Sequence, residues 1–222
     1  VGFARRASRE PLAALFASHH VQPPAAARHV VDRYLALLAP LGVTERRLEF
    51  ALPAVPASEA AMDEWLAAQG LKPQRRLVVL NPGAGRSDKR WPVEHFAALA
   101  ARLTQEAAAH VVVVWGPGEA AAARAIVAGS ASAGPRALLA PPTDLHELLA
   151  LLRRASLMVA ADTGPLHLAA ALGTPCVGLY GPTSPERNGP YGPGHRTLTA
   201  PGAALAALTP ARVLAAVAEA LA

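Results

Sequence analysis

The stretch from Leu157 to Pro182, LMVAADTGPLHLAAALGTPCVGLYGP, constrains the fold of this chain more than any other. Its first apolar run, Leu157 to Ala161, has the composition of a buried strand. The chain then turns through Asp162-Thr163-Gly164 into a helix with Pro165 at its start, where a missing amide costs nothing. Gly173-Thr174-Pro175 stops that helix, and a second apolar run, Cys176 to Tyr180, follows and closes in Gly181-Pro182. A strand, turn, helix and strand in this order make a parallel α/β unit. The Asp-Thr-Gly cluster then falls at the carboxyl end of a strand and the amino end of a helix, where such sheets bind ligands.

The alternation extends through the chain from Leu77. Strands are predicted at Leu77 to Leu80, Val111 to Trp115, Ala137 to Leu139, Leu157 to Ala160 and Val177 to Tyr180. Helices are predicted at Val93 to Ala107, Glu119 to Val127, Asp144 to Arg153, Pro165 to Leu172 and Pro210 to Leu221, the last capped by Thr209. This is the rhythm of a Rossmann-like parallel sheet with right-handed crossovers. The first fifty residues differ. A helix is expected at Leu12 to Phe16 behind Pro11, and another from Ala26 to Leu38, closed by Pro40 and Gly42. Glu49 to Leu52 reads as a short strand, Pro53 to Pro56 as a linker, and Ser58 as the cap of a helix through Gln69. The division is therefore 1–56 against a Rossmann-like domain at 57–222.

Composition narrows the partners. Hydrophobic residues make up 52% but aromatic ones only 5%, so the core should be aliphatic. The net charge of +5 comes mostly from arginine, which suits phosphate and carboxylate groups. No basic run is interleaved with aromatics, so no nucleic acid partner is implied. Cys176 is the single cysteine, which leaves no internal disulfide or cysteine metal cage and fits a reducing compartment. The uncharged span from Thr163 to Ser184 is broken by Gly173-Thr174-Pro175 and reads as helix, turn and strand rather than a membrane span.

Four loops follow strands and line one rim of the sheet. In Asn81 to Pro92, NPGAGRSDKRWP, Gly83 and Gly85 admit close approach of a ligand, and Lys89, with Arg86 and Arg90 nearby, can meet negative charge; a solvated turn has the same composition. In Trp115 to Glu119, Gly116-x-Gly118-x-x-Ala121 formally fits a dinucleotide fingerprint, without an acidic residue at the end of the following strand. Glu119 either takes ribose hydroxyls or simply favours a helix first turn. The loop Ala140 to Asp144 offers a base an apolar surface or is a rigid connection, with Asp144 as a helix cap. The fourth loop, Asp162-Thr163-Gly164 with His167 one turn on, suits a phosphate; Asp162 itself would repel one and is read as fixing the loop. There is no Asp-x-Asp pair, Lys-Ser/Thr phosphate loop, His-Glu-x-x-His or Gly-x-Ser-x-Gly, so metal-assisted and serine-nucleophile chemistry are disfavoured.

NPGAGRSDKRWPVEHFAALAARL and ADTGPLHLAAALGTPCVGLYGPTSPERNGPYG resemble the two signature regions of the heptosyltransferase family, glycosyltransferase family 9, and VGFARRASREPLAALF resembles the later part of its amino-terminal domain. The resemblance implies an α/β, GT-B-like fold of two facing Rossmann-like halves. It implies inverting transfer without metal or other cofactor, from ADP-heptose to a lipid-linked saccharide, the lipopolysaccharide inner core. By motif position Lys89 looks like the diphosphate contact, Gly85 a backbone contact in place of hydroxyl residues, Glu119 the ribose contact, and Asp162, Thr163, Gly164 and His167 the donor-phosphate loop. It also implies a cytoplasmic protein, peripheral on the inner face of the inner membrane. Phe3, Arg5, Arg6 and Arg9, basic residues beside an apolar stretch, either face the anionic acceptor there or form a solvated helix end. The family's general base, an Asp early in the amino-terminal domain, has no counterpart here; it is expected before Val1, and this chain alone is expected to be inactive. A dinucleotide-dependent oxidoreductase domain and a non-catalytic nucleotide-sugar-binding module are the alternatives.

Overall fold

The computed structural model describes residues 1–43, 45, 48–71, 75–107, 109–131 and 137–222. The chain forms two compact units: Val1–Glu49 with Glu186–Asn188, and Phe50–Pro185 with Gly189–Ala222.

In the first unit, β1 (Gly2–Phe3) and β2 (His20–Val21) pair in parallel, Gly2 opposite His20. Between them Pro11–Phe16 is a 3-10 helix rather than the expected α-helix. A six-residue segment pinned between two extended ends is too brief to repay α-nucleation. Helix α1 (Val30–Leu35) starts later than expected, at His29, whose Nδ1 accepts from the Val31 amide at 3.2 Å. It tightens to a 3-10 helix over Ala36–Leu41, which contains Pro40, and Gly42 at φ 76° closes it. Phe3 stands edge-on to Tyr34 with Arg33 over its ring, so it packs within the unit while Arg5, Arg6 and Arg9 are exposed.

The second unit opens with α2 (Pro56–Ala68). This helix starts two residues before Ser58, which lies inside its first turn and caps nothing; Pro56 supplies the start instead. The strand expected at Glu49 to Leu52 does not form. The carbonyls of Leu52 and Pro53 accept from the Arg153 guanidinium at 3.1 and 2.8 Å, a partner that replaces a ladder.

Strand β3 (Leu77–Asn81) leads to α3 (Val93–Glu106), β4 (His110–Val113), α4 (Ala120–Ser130), β5 (Leu138–Leu139) and α5 (Leu145–Arg154). Then come β6 (Leu157–Ala161), α6 (Gly164–Ala171), β7 (Cys176–Tyr180), α7 (Pro185–Asn188), β8 (Arg196–Thr199) and α8 (Pro210–Leu221). These boundaries lie close to those expected, and β8 is additional. Its sequence RTLT is polar in all but Leu198 and largely exposed, as suits an edge strand, and has no apolar run to announce it.

The six strands run parallel in the order β5-β4-β3-β6-β7-β8. Alternation sends Val78, Leu80, Val111, Val113 and Val159 to one face, against Phe96, Leu99, Ile126 and Val213. Val79, Val112, Met158 and Tyr180 go to the other, against Met62, Leu151 and Leu166. The core is aliphatic apart from Trp91, Phe96 and Tyr180, all fully buried. The Trp91 indole is satisfied by the Leu208 carbonyl at 2.8 Å. Connections leave β3 toward β4 and β6 toward β7, so the sheet reverses direction between β3 and β6. A crevice opens at such a reversal, outside the carboxyl ends of the strands.

Candidate active site

The ends of β3 and β6 are joined across this crevice. Asn81, buried at the end of β3, donates through Nδ2 to Thr163 Oγ1 at 3.2 Å. Thr163 in turn donates to the Ala161 carbonyl at 3.1 Å. Its hydroxyl is thus spent on the strand ends and makes no cap for α6, whose first turn, with Gly164 and Pro165, faces the cleft. The cleft measures about 730 Å³ and is walled by the loops after β3, β4, β5 and β6.

Its charged end is built from two of those loops. Lys89, at the end of a short 3-10 turn after β3, donates from Nζ to Asp162 Oδ2 at 2.9 Å, with the two side chains only 20% and 10% exposed. His167 Nε2 meets Asp162 Oδ1 at 3.1 Å. Burial by itself would raise the Asp162 carboxyl, but the hydrogen bonds from His167 and Lys89, with the lysine's charge, hold it well below the usual carboxylate range. An ionised Asp162 accepts from the imidazole, so Nε2 carries a proton and Nδ1 is the nitrogen left over. Arg90 braces the loop, its Nε and Nη2 donating to the Ala84 carbonyl at 3.1 and 3.0 Å. Arg86 is paired with Asp88 at the rim.

The opposite wall is organised by Glu119. Its Oε2 accepts from the Gly116 amide at 2.9 Å, and its carboxylate lies directly over Gly83. A Cβ on Gly83 would stand 2.1 Å from Oε2, so only glycine leaves room there. Trp115 is fixed by a 2.9 Å hydrogen bond from its indole to the Ala140 carbonyl. Val114, Leu145 and Leu148 supply an apolar floor beside Thr143. Asp144 accepts from the Glu147 amide and Glu147 from the Asp144 amide, both at 2.8 Å, a complete capping box for α5.

Of the residues singled out from sequence, the cleft gathers Gly85, Lys89, Glu119, Asp162, Thr163 and Gly164. His167 does not line it; the imidazole stands against the Asp162 carboxylate. Asn81 was not among the expected contacts, and Gly83 was expected only to admit a ligand closely. Both lie in the Asn-Pro-Gly turn, but nothing local shows that one reaches Thr163 and the other lies under Glu119. The Gly116-x-Gly118 turn has the φ of 80° at Gly118 that a tight turn needs, yet Glu119 already occupies the Gly116 amide that a pyrophosphate would use. Among the described residues no group of three or more His, Cys, Asp or Glu side chains is arranged to hold a metal ion, and no helix is long and apolar enough to cross a membrane.

Known proteins resemble this chain in sequence and fold. Lipopolysaccharide heptosyltransferase 1 of Escherichia coli O18:K1:H7 is 32% identical over 205 residues, covering 91% of this chain and 58% of that protein. The crystal structure of a family 9 glycosyl transferase from Veillonella parvula superposes with a TM-score of 0.83 at 24% identity, over 96% of this chain and 65% of the other, a likeness of fold. The E. coli heptosyltransferase WaaC solved with ADP superposes at 0.73 with 27% identity, over 99% and 65% of the two chains. The chain thus spans less than two thirds of these relatives, and its α/β architecture is GT-B-like. The model of glycosyltransferase family 9 (heptosyltransferase) matches residues 1–208, and the chain belongs to that family.

Proposed function

We propose that the cleft holds the nucleoside diphosphate of a sugar donor, ADP-heptose, for inverting, metal-independent transfer to the lipopolysaccharide inner core at the membrane surface. The observation that carries this reading is the buried Lys89–Asp162 pair beside the open first turn of α6, on the same cleft as the Glu119 carboxylate. Lys89 and the helix amides meet the phosphates and stabilise the diphosphate as it departs. Glu119 takes the ribose hydroxyls, and the base lies on Val114, Leu145 and Leu148. The relatives support it: WaaC was solved with ADP and with ADP-2-deoxy-2-fluoro heptose.

The carboxylates of the cleft are already engaged. Asp162 serves Lys89 and His167, Glu119 the Gly116 amide, and Asp144 the start of α5. The base that deprotonates the acceptor hydroxyl therefore comes from outside this cleft. This chain alone binds donor without efficient transfer.

Calorimetric titration with ADP, UDP and NAD, each with and without EDTA, tests the reading. ADP should bind most tightly and EDTA should change nothing, because Lys89 and the helix amides supply the charge that a metal would. A preference for NAD would favour the oxidoreductase alternative, and loss of ADP binding in EDTA, restored by magnesium, would overturn metal independence. A transfer assay on the same chain should show donor bound and acceptor unmodified; efficient turnover would place the base within these 222 residues.

A further inference from the structure

The end of β6 has a further neighbour besides Lys89 and His167. Strand β7 lies beside β6, with Leu179 opposite Ala161, so the loop that follows β7 runs past the end of β6. Thr183 lies in that loop. Its Oγ1 is fully buried and sits in hydrogen-bond geometry with no group. A hydroxyl buried without a partner costs free energy, so one that persists beside an ionised carboxylate has an acceptor at hand. Lys89 and His167 take one lone pair on each oxygen of Asp162, and a carboxylate accepts about four hydrogen bonds.

We propose that Thr183 is a positioning residue of the cleft: its hydroxyl donates to Asp162 and fixes the carboxylate that aims Lys89. The direction of the carboxyl's shift agrees, since Thr183 acts on it in the same sense as His167 and Lys89. Tyr180 is a further titratable group that feels this carboxylate. It is buried, pushed up first by burial and then by the Asp162 charge, and so stays a neutral phenol. Asp162 is thus an anion facing Lys89 in the cleft and buttressed by His167 and Thr183. Thr183 touches no part of the proposed donor and acts through Asp162. Its importance for nucleotide binding rests on the function proposed above; its pairing with Asp162 does not.

The test is a double-mutant cycle on the full chain, read first by urea denaturation, which needs no nucleotide. Thr183→Val should lower the folding equilibrium constant about tenfold, the worth of one hydrogen bond to a charged acceptor, and Thr183→Ser should restore it. In the Asp162→Asn background the Thr183→Val loss should shrink severalfold, because the charged acceptor is gone. The same cycle read by ADP calorimetry should show weaker binding in Thr183→Val and recovery in Thr183→Ser. Thr183→Ala carries the same comparison with no added bulk. Equal losses in both backgrounds, or Thr183→Ser as impaired as Thr183→Val, would mean that Thr183 only fills space and would overturn the proposal. Should wild-type chain fail to bind ADP while the urea cycle shows coupling, the donor reading fails and the Thr183–Asp162 pairing stands.

Discussion

Lys89→Ala should weaken ADP binding by roughly a hundredfold and should also lower stability, because it leaves the Asp162 carboxylate without its counter-ion. A hydrogen bond to a charged group contributes roughly 1.5–3 kcal/mol, and every 1.4 kcal/mol is about tenfold. The upper end applies because the loss is twofold in kind. The diphosphate loses a cation, and Asp162, only 10% exposed, is left as an unneutralised anion facing it. Lys89→Ala with Asp162→Asn removes that repulsion and should recover part of the affinity, which separates the two contributions. Calorimetry in low salt reads both variants. Affinity unchanged in Lys89→Ala would remove the lysine from the phosphate site.

Gly83→Ala should have the second largest effect, although the residue presents no functional group. A methyl there would stand 2.1 to 2.2 Å from the Glu119 carboxylate, whose flexible end can swing away more cheaply than the backbone can move. The expected outcome is a protein as stable as the parent, with Glu119 off the Gly116 amide and ADP affinity down about tenfold, the worth of one charge-assisted contact. Glu119→Ala should show the same loss, and the two changes together no more than either alone. A tenfold loss in Gly83→Ala that adds fully to that of Glu119→Ala would mean that the glycine serves the ligand directly.

How far these contacts are legible in sequence differs from one to the next. Lys89 and Asp162 are visible as candidates because each lies in a loop at the end of an apolar run. That they form one ion pair depends on β3 lying beside β6, and strand order is a property of the whole sheet rather than of any window. His167 is placed correctly one turn into α6, yet the spacing does not show that its imidazole turns onto Asp162. Thr183 is harder still. A threonine between prolines reads as ordinary turn composition, and only the neighbouring strand makes it part of the site. The strand expected at Glu49 to Leu52 fails for a complementary reason: extended backbone there is satisfied by Arg153, from a helix a hundred residues away.

The strand order also bears on how the protein comes to be folded. The two walls of the cleft meet where β3 pairs with β6, and the Leu77 amide and Ser156 hydroxyl that bond beside this seam are 79 residues apart. The segment between them contains α3, β4, α4, β5 and α5. Closing a segment of that length costs entropy before any contact across it is gained, and high contact order of this kind slows folding. Helices should therefore recover early during refolding, and nucleotide affinity only when the central seam of the sheet closes. Stopped-flow circular dichroism beside a fluorescent ADP analogue should show the second signal trailing the first. Simultaneous recovery would mean that the seam is in place from the outset, with β3 and β6 acting as the nucleus on which the rest condenses.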